Sequence, residues 1–456
     1  MATNFVDPIS RIEGHLGVDL TWDEAGTGLV TEANVHGNLW RGFENFLIGR
    51  EPNVAITFTQ RICGVCPVPH GQAATFAVEA AMGYNDNFHT YHTSAYSDGK
   101  GIPEKAIHIR NLILSSEFLM SNITHFYHLA APSYVQGPNT PPWTPYFADS
   151  FYHAALQSGG RVLPVDVAGF SDNVWSAVIK SYVQALRIRR LTFEAGALFA
   201  GRMPMTSSFI AGGVTNDAGE DLANKCDKFA SLTEEIGRFI VREYVPITLA
   251  LGYLYPGYEN AYNEMGTATC KGYGAGCGNM LAWGAFPQMD DSLAVDRGFL
   301  LKARLGCGLM PVSKMPVADV LSNLREHIKY SRYAGASSAL DNAGVANPAD
   351  VTDPASENRT IPKRDDATKY SWMKAPRWNS APMEVGPMAR MYVMGIFKDS
   401  VGLATSIAST ADYAGFDAYV KDTTSSSGTI GLDPAMIAPD IAVALEIGRA
   451  SCRERV

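Results

Sequence analysis

The sequence predicts a mainly α protein with small β elements, an α+β fold built around a multi-helix bundle core. Several long segments carry apolar residues at helical spacing, which is the pattern of helices that bury one face or more. These segments are residues 70–83, 105–131, 171–201 and 217–251. Residues 14–36 instead alternate apolar and polar side chains around an Ala-Gly-Thr-Gly turn, which predicts a β-hairpin near the N-terminus.

The remaining segments complete this architecture. The first long helix is expected to end at Gly83, because glycine is favoured just after a helix. Frequent glycine between about 260 and 312 predicts turns and short strands, and the polar stretch 342–369 predicts a surface loop. A further helical pattern begins near Val385, and no internal repeat is visible.

The composition argues against one class of function and points to a partner. The chain has 456 residues, which allows either several domains or one large unit. Apolar residues make up 46% and charged residues only 18%, below the quarter typical of soluble domains, so much of the surface is expected to lie against a partner. The net charge of −9 and the lack of basic runs argue against a nucleic-acid binder.

Targeting signals are not evident in the sequence. No uninterrupted apolar run approaches the roughly 20 residues of a membrane helix. The first residues, MATNFVDPISRIEG, lack the charged-then-apolar pattern of a signal peptide, so we expect no export signal in this chain itself. Seven cysteines are too few for a disulfide scaffold, so the close pair Cys63 and Cys66 is expected to have a specific role.

The Cys63-Gly64-Val65-Cys66 segment is the candidate metal site. Two cysteines on a glycine-containing turn can direct both sulfurs at one metal, and thiolates are soft donors suited to nickel, zinc, iron or copper. The neighbouring Arg61 and His70 could lower a thiol pKa or form a hydrogen bond with a coordinated sulfur. A Cys-x-x-Cys pair taken alone is a weak signal.

Three further roles for this cysteine pair stay open at this point. A zinc site would usually need a second Cys-x-x-Cys, and Cys270 and Cys277 are too widely spaced to supply it. A thioredoxin-like redox pair would follow a strand in a small βαβ unit, which the pattern does not favour. A structural disulfide would fit a secreted protein, and nothing else in the sequence indicates secretion.

The wider segment Arg61-Ile62-Cys63-Gly64-Val65-Cys66 with His70 resembles the N-terminal signature of nickel-iron hydrogenase large subunits. Further segments resemble the same family in the same order, over essentially residues 5–445. They are Arg11-Ile12-Glu13-Gly14-His15, Arg41-Gly42-Phe43-Glu44, Arg110-Asn111-Leu112, His125-Phe126-Tyr127-His128-Leu129, Gly212-Gly213-Val214-Thr215, Lys374-Ala375-Pro376-Arg377 and Met383-Glu384-Val385-Gly386-Pro387.

The resemblance implies a metal centre with two metals. In this family four cysteine thiolates hold a nickel ion, and two of them also bridge to an iron that carries carbon monoxide and cyanide. By motif position Cys63 would be a terminal nickel ligand and Cys66 a bridging one, with His70 forming a hydrogen bond to the bridging sulfur. His125 and His128 share a helix face but are expected to be core or interface histidines, because the cysteines hold the metals.

The resemblance also implies roles for residues outside the cysteine pair. Glu13 matches the family's proton-relay glutamate, whose pKa would be raised by burial. Arg377 matches an arginine above the open metal position, and Pro376 would shape the pocket around the iron ligands. Glu44 matches a carboxylate that binds structural magnesium. The ordinary alternatives are a surface or helix-capping role for Glu13, a surface ion pair for Arg377 and a helix-surface position for Glu44.

The sequence departs from the family's pattern at its C-terminus. The family has a second motif, Asp-Pro-Cys-x-x-Cys-x-x-His, which this chain lacks. Asp433-Pro434-Ala435 shares only its first two residues. Residues 446–456, EIGRASCRERV, look like a translated sequencing adapter, so we expect one incomplete large-subunit domain over 1–445 and a natural chain about a hundred residues longer. Cys452 is then no ligand, and Cys226, Cys270, Cys277 and Cys307 are expected to be structural thiols. A smaller departure is Arg202–Met205, where many relatives have histidines.

The function implied is reversible oxidation of dihydrogen to two protons and two electrons. The electrons would leave through an iron-sulfur small subunit, and a membrane cytochrome b would bind through that subunit. The likeness is strongest to respiratory uptake enzymes, which implies the periplasmic side of the membrane, with the cytoplasm as the alternative. Two other functions remain: a dihydrogen sensor, and a non-enzymatic scaffold of the respiratory complex I type, which lacks the metal-binding cysteines.

Overall fold

The computed structural model describes residues 2–9, 12–82, 84, 102–133, 174–245, 247–248, 279–282, 304–307, 313–314, 324–328, 330–334, 361–378 and 381–382. Long helices and small antiparallel sheets make up these residues, which confirms the predicted fold class. The predicted helix from Val385 and most of the glycine-rich stretch 260–312 lie outside the described residues. Within the described part of the chain, no helix is both long enough and apolar enough to cross a membrane.

The N-terminus forms a three-stranded antiparallel sheet, with β1 (Ala2–Val6), β2 (Leu16–Trp22) and β3 (Val30–Gly37) side by side in that order. The β2–β3 hairpin confirms the strands predicted from alternation. The turn between them is closed by the Asp23 carboxylate, which accepts the Thr27 N–H at 3.1 Å. Strand β1 was not predicted, because MATNFV is too short and mixed to show a period of two.

Short helices lead into the cysteine loop. These are α1 (Phe43–Phe46) and α2 (Val54–Thr59), and the loop is followed by α3 (Pro67–Ala81). The predicted helix at 70–83 is therefore confirmed but begins earlier, at Pro67. A proline in the first turn accounts for the early start, because its fixed φ suits a helix and its missing N–H would have no helical partner there.

Three long helices form the centre of the described structure. The first, α4 (Glu104–Thr124), continues as a wider π-helical segment over His125–Ala130 and a short 3-10 turn at Ala131–Ser133. The second is α5 (Val174–Ala200). A short α6 (Asn216–Gly219) precedes the third, α7 (Leu222–Phe239), which continues as a π-helical segment over Ile240–Tyr244. Gly201, at φ 71°, ends α5 in the left-handed conformation that glycine tolerates best. The predicted helices at 105–131, 171–201 and 217–251 are confirmed in position, and the prediction missed the break before α7.

Two apolar clusters that share α4 and α5 form most of the core in the described residues, beside a smaller cluster at the start of α4. One joins the C-terminal half of α4 to α5 and α7 through residues such as Ile123, Tyr127, Ile188 and Ile236. The other brings together buried side chains from α2, α3, α4 and α5, among them Ile56, Val68, Ile113 and Phe199. Because the second cluster includes the first turn of α3, the cysteine loop is attached to the bundle core.

The described residues outside these helices and the N-terminal sheet include several further short strands. The β4–β5 hairpin (Phe209–Ile210, Gly213–Val214) follows α5. Three further small antiparallel sheets have the strand orders β6-β7-β8, β9-β12-β13 and β10-β11. Their bounds are Asn279–Ala282, Arg304–Cys307, Ser313–Lys314, Leu324–His327, Tyr333–Ala334, Ile361–Pro362, Ala375–Trp378 and Ala381–Pro382. β11 lies inside the stretch 342–369 that was predicted to be a loop.

Candidate metal centre

Cys63 and Cys66 lie on the loop between α2 and α3, and the loop is folded around the first sulfur. The Cys63 Sγ accepts the backbone N–H groups of Val65 at 3.3 Å and Cys66 at 3.1 Å. Gly64 lies in open space with no atom near the position of a Cβ, so it leaves one side of the turn clear. Both thiols are free, Cys63 buried and Cys66 half-buried. The turn therefore holds both sulfurs close together without a disulfide.

The two thiols differ in acidity because they share a hydrogen bond. The Cys66 thiol donates to Cys63, and this bond together with the two backbone donors lowers the pKa of Cys63 to about 7, despite burial and the charge of Glu13. The same hydrogen bond, followed by burial and nearby negative charges, raises the pKa of Cys66. Cys63 is therefore the first thiol of the pair to become a thiolate, which is the form that binds metals and acts as nucleophile.

Glu13 faces the cysteine loop from the segment before β2. Its Oε1 lies 3.7 Å from the Cys63 Sγ, within reach of the thiol proton. Glu13 is exposed in this chain, so the burial expected of it in the sequence analysis is absent here. The structure thus brings two separate motifs together, although it does not supply the apolar environment that the expectation for Glu13 required.

Arg41, from the Arg41-Gly42-Phe43-Glu44 motif, also contacts the cysteine loop. Its guanidinium donates to the carbonyl oxygens of Arg61, at 2.8 Å, and Ile62, the two residues that precede Cys63. It also lies over the Phe43 ring, 4.9 Å from the centroid. Backbone carbonyl oxygens fixed by a guanidinium fork lose much of their freedom, so Arg41 helps to set the direction in which the loop leaves α2.

His70 lies in the first turns of α3 and is half-buried. Burial, followed by the charge of Arg41, lowers the pKa of His70, which favours the neutral imidazole. Its backbone carbonyl accepts the Thr59 hydroxyl at 3.2 Å, which links α3 to the end of α2. The hydrogen bond from His70 to the Cys66 sulfur stays a prediction.

Glu44 lies in a group of aromatic and basic residues on the surface. Its Oε1 accepts hydrogen bonds from Trp40 Nε1 and the Tyr333 hydroxyl, both at 3.0 Å. Burial alone would raise the pKa of Glu44, but these hydrogen bonds and the charge of Lys374 outweigh it and lower the pKa. Glu44 is therefore a charged carboxylate with one oxygen already bonded, and its magnesium role stays a prediction.

Pro376 and Arg377 lie on strand β12, and only their backbone is described. Arg377 pairs with Arg325 of β9 and Pro382 of β13. The segment just before β12 is fixed to the N-terminal sheet: the Trp372 N–H donates to the Gly37 carbonyl at 2.9 Å, and the Gly37 N–H donates to Ser371 Oγ at 3.1 Å. The roles given to Pro376 and Arg377 stay predictions.

A buried ion pair joins two further motifs. Arg110 of α4 and Glu79 of α3 are 2% and 1% exposed, and Arg110 also donates to the carbonyl oxygens of Ile210 and Gly213. Glu79 accepts the Gly212 N–H at 2.8 Å. Gly212 has φ 84° and a Cβ there would meet the Tyr84 ring at 2.8 Å, so glycine is required. This group holds the β4–β5 hairpin on the helices, and none of its residues is among the predicted metal ligands.

The other histidine and cysteine residues singled out in the sequence are described only in part. His128 is half-buried against Tyr182, with Nε2 3.3 Å from the Tyr182 carbonyl oxygen, in agreement with the core or interface role expected for it. Cys226 is a free, exposed thiol on α7, and the structural role expected for it stays a prediction. Only the backbone of Cys307 is described, and Cys270 and Cys277 lie outside the described residues. The described part of the chain contains no group of three or more potential ligands with metal-binding geometry.

The sequence analysis missed Glu117, a carboxyl group buried next to the cysteine loop. It is 1% exposed, and its Oε2 accepts the Val68 N–H at 2.9 Å. Burial, with the charge of Cys63 as a smaller contribution, raises the pKa of Glu117 to about 8. A signal existed in the sequence, because Glu117 replaces an apolar residue on the core-facing stripe of α4 between Ile113 and Met120.

The chain is similar to several hydrogenases of known type. It is 31% identical over 398 residues to the periplasmic [NiFeSe] hydrogenase large subunit of Desulfomicrobium baculatum, covering 87% of this chain and 65% of the relative. It is 28% identical to the uptake hydrogenase large subunit of Rhizobium leguminosarum bv. viciae, covering 87% and 69%. The chain thus spans about two thirds of the length of these curated relatives.

Comparisons with solved structures and with family models also find hydrogenases. The H2-activated [NiFeSe] hydrogenase of Desulfomicrobium baculatum superposes with a TM-score of 0.66 and 26% identity, covering all of this chain and 80% of that one. Residues 5–36 match the HoxL-like family. Residues 41–141 and 170–428 match the nickel-dependent hydrogenase family, which accounts for most of the chain including the cysteine loop. This chain belongs to the nickel-dependent hydrogenase family.

Proposed function

We propose that this chain is the metal-carrying subunit of a hydrogenase that oxidises dihydrogen reversibly to two protons and two electrons. The observation that carries the proposal is the position of the acidified Cys63 thiol beside Cys66 and 3.7 Å from the Glu13 carboxylate. Removal of two protons and two electrons from dihydrogen needs a soft metal site and a base beside it. The cysteine loop and Glu13 would supply parts of both.

The residues present fit a nickel-iron centre as part of its ligand set. The lowered pKa of Cys63, about 7, makes a thiolate ligand available near neutral pH, and Cys66 beside it would be the second ligand. When bound, the centre would supply the coordination position for dihydrogen and the acceptor for its electrons, with iron that carries carbon monoxide and cyanide. The family's other two thiolates would complete the set.

The chain's own residues would hold the thiolates and move the proton. Arg41 and the backbone N–H groups of Val65 and Cys66 keep the loop in place, so that the sulfur positions change little during turnover. Glu13 would accept the proton and pass it outward. His70, neutral because its pKa is lowered, would donate a hydrogen bond to the bridging sulfur, and Arg377 and Pro376 would shape the open side of the centre.

Partners and location are part of the same proposal. An iron-sulfur small subunit would take the electrons and cover Glu13, supplying the burial that this chain alone lacks. A cytochrome b subunit would connect the pair to the membrane, on its periplasmic side. Magnesium would bind the Glu44 oxygen that is not bonded to Trp40 and Tyr333, since hard carboxylate oxygens suit that ion.

Two measurements test the proposal on the full-length protein, with the family's second cysteine motif present, purified with its small subunit. We expect stoichiometric nickel and iron by elemental analysis, and dihydrogen-dependent reduction of an artificial electron acceptor at an enzymatic rate. Protein without nickel would contradict the proposal and favour a scaffold of the complex I type. Nickel-containing protein with negligible turnover would contradict the enzymatic role and favour a dihydrogen sensor.

A further inference from the structure

The carboxyl group of Glu117 is buried, and only one of its two oxygens has a hydrogen-bond partner among the described residues. Glu117 is 1% exposed on α4, and its Oε2 accepts the Val68 N–H at 2.9 Å. Its second oxygen, Oε1, is buried and has no such partner in the described part of the chain. Burying a carboxyl group in an apolar helix packing is costly, so a residue of this kind at a core position needs a specific role.

Val68 carries the only backbone N–H among the first three residues of α3. The helix begins directly after Cys66 with Pro67-Val68-Pro69, and neither proline has an N–H group. Val68 itself is fully buried, so its N–H cannot turn to water. The first N–H groups of a helix have no partner within it, and Glu117 supplies the acceptor for this one.

The hydrogen bond fixes the chain direction two residues after Cys66. The opposite side of the loop is fixed independently: Gln60 Nε2 donates to the Thr206 carbonyl at 3.1 Å, and Arg41 holds the two carbonyl oxygens that precede Cys63. The N–H groups of Val65 and Cys66 are already directed at the Cys63 sulfur. On the other side of the loop, Glu117 is the buried side chain that holds the backbone directly after the second cysteine.

We propose that Glu117 is a positioning residue for the metal centre, which sets the geometry of Cys66 by holding the Val68 N–H. The inference rests on the proposed nickel site. To hold the Val68 N–H, the side chain at position 117 must be long enough to reach it and must have an acceptor oxygen. It does not need a negative charge. Residues that orient metal ligands from outside the ligand set typically contribute about 10-fold to 100-fold in metal affinity or activity.

Two substitutions separate reach from the ability to ionise, in the full-length protein purified with its small subunit. Glu117→Gln keeps the length and an acceptor oxygen but cannot ionise. Glu117→Asp keeps a carboxyl group but shortens the side chain by one methylene, so that it falls short of Val68. We expect nickel per chain in Glu117→Gln to match the unsubstituted protein, and nickel in Glu117→Asp to fall by about 10-fold or more. The nickel that remains should show altered electron paramagnetic resonance g-values.

Ser116→Ala is the matched control. Ser116 is equally buried next to Glu117, and its hydroxyl donates to the Leu112 carbonyl of the same helix. The substitution should leave nickel content and g-values unchanged. The thermal midpoint of each purified complex separates metal positioning from general stability.

The inference is supported if Glu117→Asp loses nickel while its midpoint stays close to that of Ser116→Ala. Glu117→Asp with full nickel and unchanged g-values would overturn it. Loss of nickel in Glu117→Gln would also overturn it. The same holds if Glu117→Asp loses nickel only in proportion to the fraction of protein that is unfolded. If the unsubstituted protein holds no nickel, the proposed function itself fails, which is a different result.

Discussion

The acidity of Cys63 follows from three hydrogen-bond donors within three residues. The Cys66 thiol and the N–H groups of Cys66 and Val65 all point at its sulfur and stabilise the thiolate against burial. Such a turn prepares one ligand of the pair for a metal before the metal arrives, because metal binding must otherwise remove the proton. The Cys-x-x-Cys spacing predicted the pair, but the direction of these donors depends on the turn's conformation and could not be predicted from spacing.

Removing the Cys66 thiol should make Cys63 less acidic. In chain produced without nickel, alkylation of Cys63 by iodoacetamide should increase through about pH 7, since only the thiolate reacts. In Cys66→Ala the largest cause of the lowered pKa is gone, so the midpoint of alkylation should move to higher pH. Peptide mass spectrometry over a pH series measures both. An unchanged midpoint in Cys66→Ala would contradict the role of the hydrogen bond.

Glu13 gives a second prediction for a single residue. Glu13→Gln keeps the shape of the side chain but cannot accept a proton, so exchange between D2 gas and water should slow by about 10²-fold or more. Nickel content should stay unchanged, because Glu13 faces the thiol and is not assigned as a ligand. Mass spectrometry of the gas phase measures the exchange. Exchange at the original rate would remove Glu13 from the proton path.

At the scale of elements, the cysteine loop is held by contacts that come from distant parts of the chain. Arg41 reaches it from before α1, Glu117 from α4, and Gln60 connects it to Thr206. The helices themselves could be predicted from their apolar spacing, because that pattern is local. These hydrogen bonds could not, since they join residues up to 146 positions apart and depend on how the helices pack.

The Arg110–Glu79 pair should matter far more to stability than an exposed pair. Removing one partner of a buried pair leaves an uncompensated charge, so Glu79→Gln should destabilise the chain by about 3–5 kcal/mol and also weaken the contact to Gly212. Arg238→Ala breaks a largely exposed pair with Glu234 on α7 and should cost under about 1 kcal/mol. Thermal midpoints of the two variants compare them directly. Equal losses would show that the buried pair has no special role.

At the scale of the whole molecule, the mainly α fold and the cysteine site were predictable, because helical periodicity and the ordered motifs extend along most of the chain. Strand β1 and the break before α7 were not, since both depend on short segments whose conformation is set by neighbouring strands and helices. The low charged fraction predicted a covered surface. Large apolar side chains such as Phe5, Leu29 and Ile48 are 69%, 66% and 63% exposed in the chain alone, and a partner that covers them stays a prediction.

The central claim is that Cys63 and Cys66 are nickel ligands, and Cys66→Ser tests it most directly. Serine keeps the size and a hydrogen-bond donor but replaces the soft sulfur with a hard oxygen, which suits nickel poorly. Nickel should be measured by elemental analysis in the full-length Cys66→Ser protein purified with its small subunit, beside the unsubstituted protein and Ser116→Ala. We predict stoichiometric nickel in the latter two and loss of both nickel and dihydrogen oxidation in Cys66→Ser. Full nickel with normal turnover in Cys66→Ser would contradict the claim.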